Sequence, residues 1–253
     1  MNLTRKATAL LGIFAASVAV FGYGGGAAMA STKTGFPGKT PSPVAAVPWG
    51  WKQTYSHNFA TQGEEGWSLD NAGATVTDGP NGLGIGMTVE DNQYAEAIYT
   101  GNENIVGPSS FVQARVYIPA ASNGETANWP AFWTTGQLWP NDGEIDILEG
   151  QSGYSCEQTH YGTLADEISP VSNCAKANGT GTGWITISML RENETVEVWY
   201  NSTYIGQEPL PTTADEELIF QNQDNGGGTS CANCNGPYTA STAYLSSVEV
   251  YAP

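Results

Sequence analysis

Glu144, Asp146 and Glu149 fall close together in Gly143-Glu-Ile-Asp-Ile-Leu-Glu-Gly150, and carboxylates held that closely can share protons and act on a common reacting centre. Side chains on an extended strand alternate between faces, so Glu144 and Asp146 project together while Ile145 and Ile147 project the other way. Uninterrupted alternation puts Leu148 on the acidic face and turns Glu149 away. One extra residue, a β-bulge near Ile147-Leu148, restores the parity and brings Glu149 beside the other two. With that bulge the two glutamate Cα atoms are about four strand steps apart, or roughly 13 Å. Side chains leaning toward each other then reach the ~5–5.5 Å carboxyl separation that double displacement at an acetal carbon requires. One carboxylate attacks the carbon, and the other protonates the departing oxygen and then activates water. Crowding raises at least one carboxyl pKa; Glu149 is the candidate acid, with Asp146 tuning both neighbours. An acidic solvent face and a calcium site are the two other readings. Three acids interleaved with Ile, Ile and Leu make an odd solvent face, and calcium wants more oxygen donors in a turn.

Other candidates flank this strand. Trp129-Pro-Ala-Phe-Trp133 places Trp129 and Trp133 on one face if extended, and Trp139 shortly precedes the acids. Indoles stack on the apolar C–H faces of sugar rings, so these three are substrate-binding candidates, with ordinary core packing as the competing role for each. His160 follows closely enough for a neighbouring strand to bring it against the carboxylates and support their charge; a hydrogen-bonded core or edge histidine is the alternative. His57 is unassigned. Gly150-Gln-Ser152-Gly153 lacks the glycine spacing of a nucleophile elbow, which argues against a serine hydrolase.

The elements that must position these groups read as short strands. Phe111–Ile118, Ile185–Leu190, Val196–Tyr200 and Val248–Tyr251 are rich in β-formers, and turns such as Asp78-Gly-Pro-Asn-Gly82 and Asn141-Asp-Gly143 punctuate the chain. No long helical periodicity and no internal repeat interrupts them. The expected architecture is all-β, a sandwich of two antiparallel sheets occupying 48–253. Upstream, Arg5 and Lys6 precede an apolar run ending in Ala28-Met-Ala30, the layout of a signal peptide over 1–30. Residues 31–47, with Pro37, Pro41 and Pro43, read as a linker. The product is expected to be secreted.

Loss of residues 1–30 leaves six basic and 25 acidic residues, a formal charge of −19. Such a chain repels nucleic acid and anionic membranes and, less strongly, anionic polysaccharides. Four cysteines in an exported chain imply disulfides, with three pairings open; Cys156–Cys174 and Cys231–Cys234 each close a short loop and are preferred. A redox or zinc role for Cys231-Ala-Asn-Cys234 lacks a second C-x-x-C and partner histidines, so no metal ligand is assigned. The N-x-S/T triplets at Asn178, Asn193 and Asn201 are too common a pattern to assign glycosylation.

Glu144-Ile-Asp146-Ile-Leu-Glu149 resembles the E-x-D-x-x-E signature of glycoside hydrolase family 16 in its β-bulged, laminarinase-like form. Phe111-Val-Gln-Ala-Arg115-Val-Tyr-Ile-Pro119, Trp129-Pro-Ala-Phe-Trp133 and Ser247-Val-Glu-Val-Tyr251 are similar to further strands of that family, in the same order. The resemblance implies a β-jelly roll with a concave glycan-binding cleft. It implies Glu144 as nucleophile, Asp146 as assisting carboxylate, Glu149 as acid/base, His160 as support, and Arg115 among the substrate-binding residues. The implied activity is retaining endo-hydrolysis of a β-1,3- or mixed β-1,3-1,4-glucan by a monomer that needs no cofactor. Transglycosylases and galactan hydrolases are relatives on the same site, and a lectin-like module that binds without cutting is the alternative from another class. Gln113 departs from the family's usual Glu, the F-H-x-Y…E-W run is missing around Trp184–Ser188, and Ser246 stands where an Asp often binds structural calcium.

Overall fold

A computed structural model describes residues 46–88, 94–101, 105–175, 180–223 and 239–253. The segment expected to be a signal peptide, nearly all of the expected linker, Asn178, Cys231 and Cys234 lie outside these residues. In chain order the first strands are β1 (Lys52–Asn58), β2 (Trp67–Ala72), β3 (Thr75–Gly79), β4 (Gly82–Met87) and β5 (Tyr94–Tyr99). Next come β6 (Ser110–Ile118), β7 (Trp129–Thr135), β8 (Glu144–Gln151), β9 (Tyr154–Thr163), β10 (Asp166–Ile168) and β11 (Asn173–Cys174). The series closes with β12 (Gly183–Glu192), β13 (Thr195–Tyr200), β14 (Thr203–Pro209), β15 (Glu217–Gln223) and β16 (Ser241–Ala252). A single turn of helix, Phe59–Gln62, follows β1, and no described helix is long and apolar enough to cross a membrane.

These strands form two antiparallel sheets, as the dense turn signals and β-branched runs predict. The first runs β14-β13-β12-β6-β16-β4-β3, with β1 also on β16; the second runs β10-β9-β8-β7-β15-β5-β2, with β11 also on β9. Each strand contributes alternate side chains to the interior. Val112, Ala114, Val116 and Ile118 of β6 and Ile185, Ile187 and Met189 of β12 meet Ile145, Ile147, Leu148, Phe132 and Phe220 from the other sheet. Burying each large aliphatic side chain contributes roughly 1.5–3 kcal/mol, so this interface is the main source of stability. The residues between them in sequence project from the sandwich. The outer face of the second sheet carries the acidic strand.

Two polar devices inside the sandwich support that strand from behind. Arg191 and Glu216, both fully buried, pair at 3.1 Å, and Thr134 donates its hydroxyl to Glu216. Arg191 also donates to the carbonyls of Val106 and Thr212. Nearby, Asn173 Nδ2 donates to both Glu157 and Glu208 at 2.6 Å, tying β11 to β9 and β14. Cys156 and Cys174 form a disulfide across the β9–β11 pair.

Candidate active site

Pairing registers build the site. On β8, Glu144 lies opposite His160 of β9 and Thr135 of β7, while Asp146 lies opposite Gln158 and Trp133. Between Asp146 and Glu149 the register slips, because three steps on β8 match two on β9. The extra residue is a bulge at Ile147-Leu148: both side chains are fully buried, and Glu149 returns to the outer face opposite Ala131 and Cys156. A bulge disrupts the ladder, and here Tyr200 reaches across the interior to donate its hydroxyl to the Ile147 carbonyl at 3.1 Å. Gly143, at φ +94°, sets the start of the strand. A Cβ there would sit 2.8 Å from Thr212 Oγ1 and 3.0 Å from Glu216 Oε1, so only glycine fits without displacing the buried pair.

The carboxylates share one charge environment. Glu144 is 6% exposed and Asp146 5%. His160 Nε2 lies 3.3 Å from Asp146 Oδ2 and 3.7 Å from Glu144 Oε1. On its other side, His160 Nδ1 is 2.8 Å from Glu167 Oε1 and 2.7 Å from Ser169 Oγ. Burial works against charge on the imidazole, but its hydrogen bond and attraction to Asp146, with Glu144 and Glu167, outweigh that and push it up to about 10. His160 is therefore an imidazolium at neutral pH. Burial and the Asp146 charge push Glu149 up to about 8, against the hydrogen bond from Trp129 and the attraction of His160. Burial, followed by Asp146, also raises Glu144; His160 opposes this, while Glu149 and Glu216 add to it. A carboxyl pushed up to about 8 holds its proton at neutral pH, which suits Glu149 to the role of general acid. The donor atoms of Glu144, Asp146 and His160 lie within 4.8 Å of one another.

Of the other substrate-binding candidates, Trp129 donates its indole N–H to Glu149 Oε1 at 2.7 Å, and Trp133 lies beside Asp146 on the same face. Trp139 sits in the loop between β7 and β8, joined to Pro140 by a cis peptide. Arg115 is a correction: it stands on β6 in the other sheet, donates to Thr186 Oγ1 and lies over the Trp184 ring, 5.5 Å from its centroid. The family-like motif around it belongs to a central strand whose outward side chains face away from β8. Arg115 therefore takes no part in this face.

Several residues of the site carry no motif of their own. Glu167, Ser169 and Tyr200 act through His160 or the bulge. Along the Glu149 row, pairing continues through Ala131 and Gln221 to Glu96 and Asp70, setting a polar line across the sheet. Only a full strand order would have exposed that row; local spacing contains no sign of it.

Comparison with known proteins agrees with this geometry. Residues 116–208, which include all of β7 to β9, match the model of the XgeA-like catalytic domain of glycoside hydrolase family 16. A probable endo-1,3(4)-beta-glucanase of Aspergillus fumigatus is 30% identical over 112 residues, covering 40% of this chain and 15% of that protein. Endo-1,3(4)-beta-glucanase xgeA of Emericella nidulans is 27% identical over 142 residues, covering 49% of this chain and 22% of that protein. The matched part thus spans less than a quarter of either relative. Among solved structures, the endo-beta-1,3-glucanase of Pyrococcus furiosus aligns with a TM-score of 0.61 at 17% identity, over 80% of this chain and 94% of that one. The Rhodothermus marinus laminarinase aligns with a TM-score of 0.61 at 16% identity, over 80% and 97%. These two share the fold. The bulged acidic strand and the two-sheet architecture thus agree with the match of residues 116–208 to the catalytic domain of glycoside hydrolase family 16.

Proposed function

We propose that this chain is a secreted, retaining endo-glycoside hydrolase that cleaves a β-1,3- or mixed β-1,3-1,4-glucan. The observation that carries the reading is the bulge on β8, which returns Glu149 to the face of Glu144 and Asp146 beside a protonated His160. Glu144 attacks the anomeric carbon as the bond to the leaving oxygen breaks, and Glu149 delivers its proton to that oxygen. The emptied Glu149 carboxylate then takes a proton from water, whose oxygen displaces Glu144 from the anomeric carbon. His160 keeps the ionised form of Glu144 tolerable in a site where burial and the Asp146 charge disfavour it. Every proton and bond in this cycle is handled by groups of the chain, so no cofactor is called for. The names of the fungal relatives support the substrate class, and the basic-apolar-small pattern of residues 1–30 supports secretion.

The test incubates residues 31–253 with laminarin, mixed-linkage glucan, agarose, carrageenan and chitin, with Glu144→Gln as control. Oligosaccharides are expected from a β-glucan and from no other polymer, and only with the unaltered protein. Glycan retention without product would favour a lectin-like module. Products enriched in longer chains would favour transglycosylation, and release from agarose or carrageenan a galactan hydrolase.

A further inference from the structure

The outer face of the first sheet carries a second candidate glycan site, remote from the carboxylates. Registers align Trp184 of β12 with Tyr117 of β6, and Tyr117 with Tyr244 of β16, so three aromatic rings form one row across three strands. Their centroids are 5.5 Å apart for Tyr117–Trp184, 6.0 Å for Tyr117–Tyr244 and 6.2 Å for Trp184–Tyr244, the last pair within 27° of parallel. The next residue in the row is Gly84, where a Cβ would lie 2.7 Å from Tyr244 Cε1. The ring of Tyr244 therefore leans over a position that only glycine can leave open. On β4 the inward positions are Leu83, Ile85 and Met87, and the outward ones are glycines. A groove of about 410 Å³ lies beside the rings, edged by Asn81, Ser241 and Thr242.

The opposite end of the same face is built differently. Phe111 is 1% exposed and Trp199 8%, and Val47 and Trp51 pack against them. Trp184 remains 37% exposed, with the Arg115 guanidinium held against its ring. A row of partly exposed aromatic rings, flanked by hydroxyl, amide and guanidinium donors, matches a pyranose, which offers an apolar C–H face and a rim of hydroxyls. A nucleic acid, whose bases would also stack, is disfavoured by the net charge of −17.

We propose that the Tyr117–Trp184–Tyr244 row is an ancillary binding site for a neutral β-glucan chain, holding the protein on its polymer while the carboxylate face acts. The identity of the glycan rests on the function proposed above; the existence of the site does not. The test uses the Glu144→Gln protein, so that binding is read without cleavage, on insoluble β-1,3-glucan particles. Adding Trp184→Ala should weaken retention by about fivefold, as expected for loss of one stacked ring. In the otherwise unaltered enzyme, Trp184→Ala should leave kcat/KM on short soluble oligosaccharides unchanged. A second readout needs no substitution: oxidation of Trp184 by N-bromosuccinimide, mapped by mass spectrometry, should slow in the presence of long β-glucan. Unchanged retention, or oxidation at the same rate with and without glucan, would overturn the proposal. Failure of the unaltered enzyme to cleave any β-glucan would count against the function instead, and is read separately by product release.

Discussion

The outer faces of the two sheets are built on the same antiparallel plan but hold opposite chemistry. The second sheet concentrates buried carboxylates and a histidine around one bulged strand. The first displays a row of aromatic rings on β6, β12 and β16, with the Arg115 guanidinium over one of them. The difference lies in the backbone as much as in residue type. A bulge on β8 re-aims one side chain by a single position, while glycines on β4 clear room for rings beside them. Reactive groups need fixed distances to one another, and the polar network behind β8 provides them. A stacking surface needs only exposed ring faces.

The sharpest way to break this contrast is to disarm one face and leave the other intact. Glu144→Gln should lower turnover at least about a thousandfold, because an amide cannot form the covalent intermediate, with the melting temperature and glucan retention preserved. Glu149→Ala should cost about 10²–10⁴ in rate on unactivated glucan and recover substantially with an activated aryl leaving group or added azide. No recovery would take the acid/base role away from Glu149. Its pKa of about 8 also sets a limit on the unaltered enzyme: protonated Glu149 is lost above that value, so kcat/KM should fall on the alkaline side near pH 8. In Trp129→Phe the N–H that stabilises the ionised carboxylate is gone, so the limb should move to higher pH.

Smaller effects sharpen the contrast from within the second sheet. Reduction of Cys156–Cys174, which are 18 residues apart, should lower stability by about 3 kcal/mol without stopping turnover, read by thermal melts and initial rates. Glu167→Gln should lower the His160 titration from about 10, because it removes a negative partner from Nδ1, with a few-fold loss of kcat. Imidazole NMR checks the direction. Behind the sheet, burial and then Glu208 and Asp146 push Glu157 up to about 7, against the Asn173 hydrogen bond; burial pushes Glu216 to about 7 as well, against Arg191 and Thr134. Folded-state values above the unfolded carboxyl range favour the protonated native state, so this stability is present below about pH 4.5 and is lost as pH rises through about 7. Melting temperatures should therefore be higher at pH 5 than at pH 8, and Glu157→Gln should flatten the difference.

Much of the fold was legible because strand alternation and turn residues are local signals. Phe111–Ile118 and Ile185–Leu190 lie within β6 and β12, and the parity of Glu144-Ile-Asp-Ile-Leu-Glu149 alone called for the bulge at Ile147-Leu148. What escaped depends on long-range register. Tyr200 meets the Ile147 carbonyl from the other sheet, and Asp70 and Glu96 join the Glu149 row through strands distant in the chain. Glu167 reaches His160 only because β10 folds back on β9. Arg115 shows the converse: the resemblance places it among the substrate-binding residues, whereas β6 is central to the sheet opposite the acidic strand.

The most direct test of the account is to trap the intermediate. A 2-deoxy-2-fluoro β-glucosyl donor with a good leaving group should inactivate the enzyme, and peptide mass spectrometry should find one glycosyl group on Glu144. An adduct on Glu149 or Asp146, or first product released with inverted anomeric configuration and no adduct, would contradict the assignment of Glu144 as nucleophile.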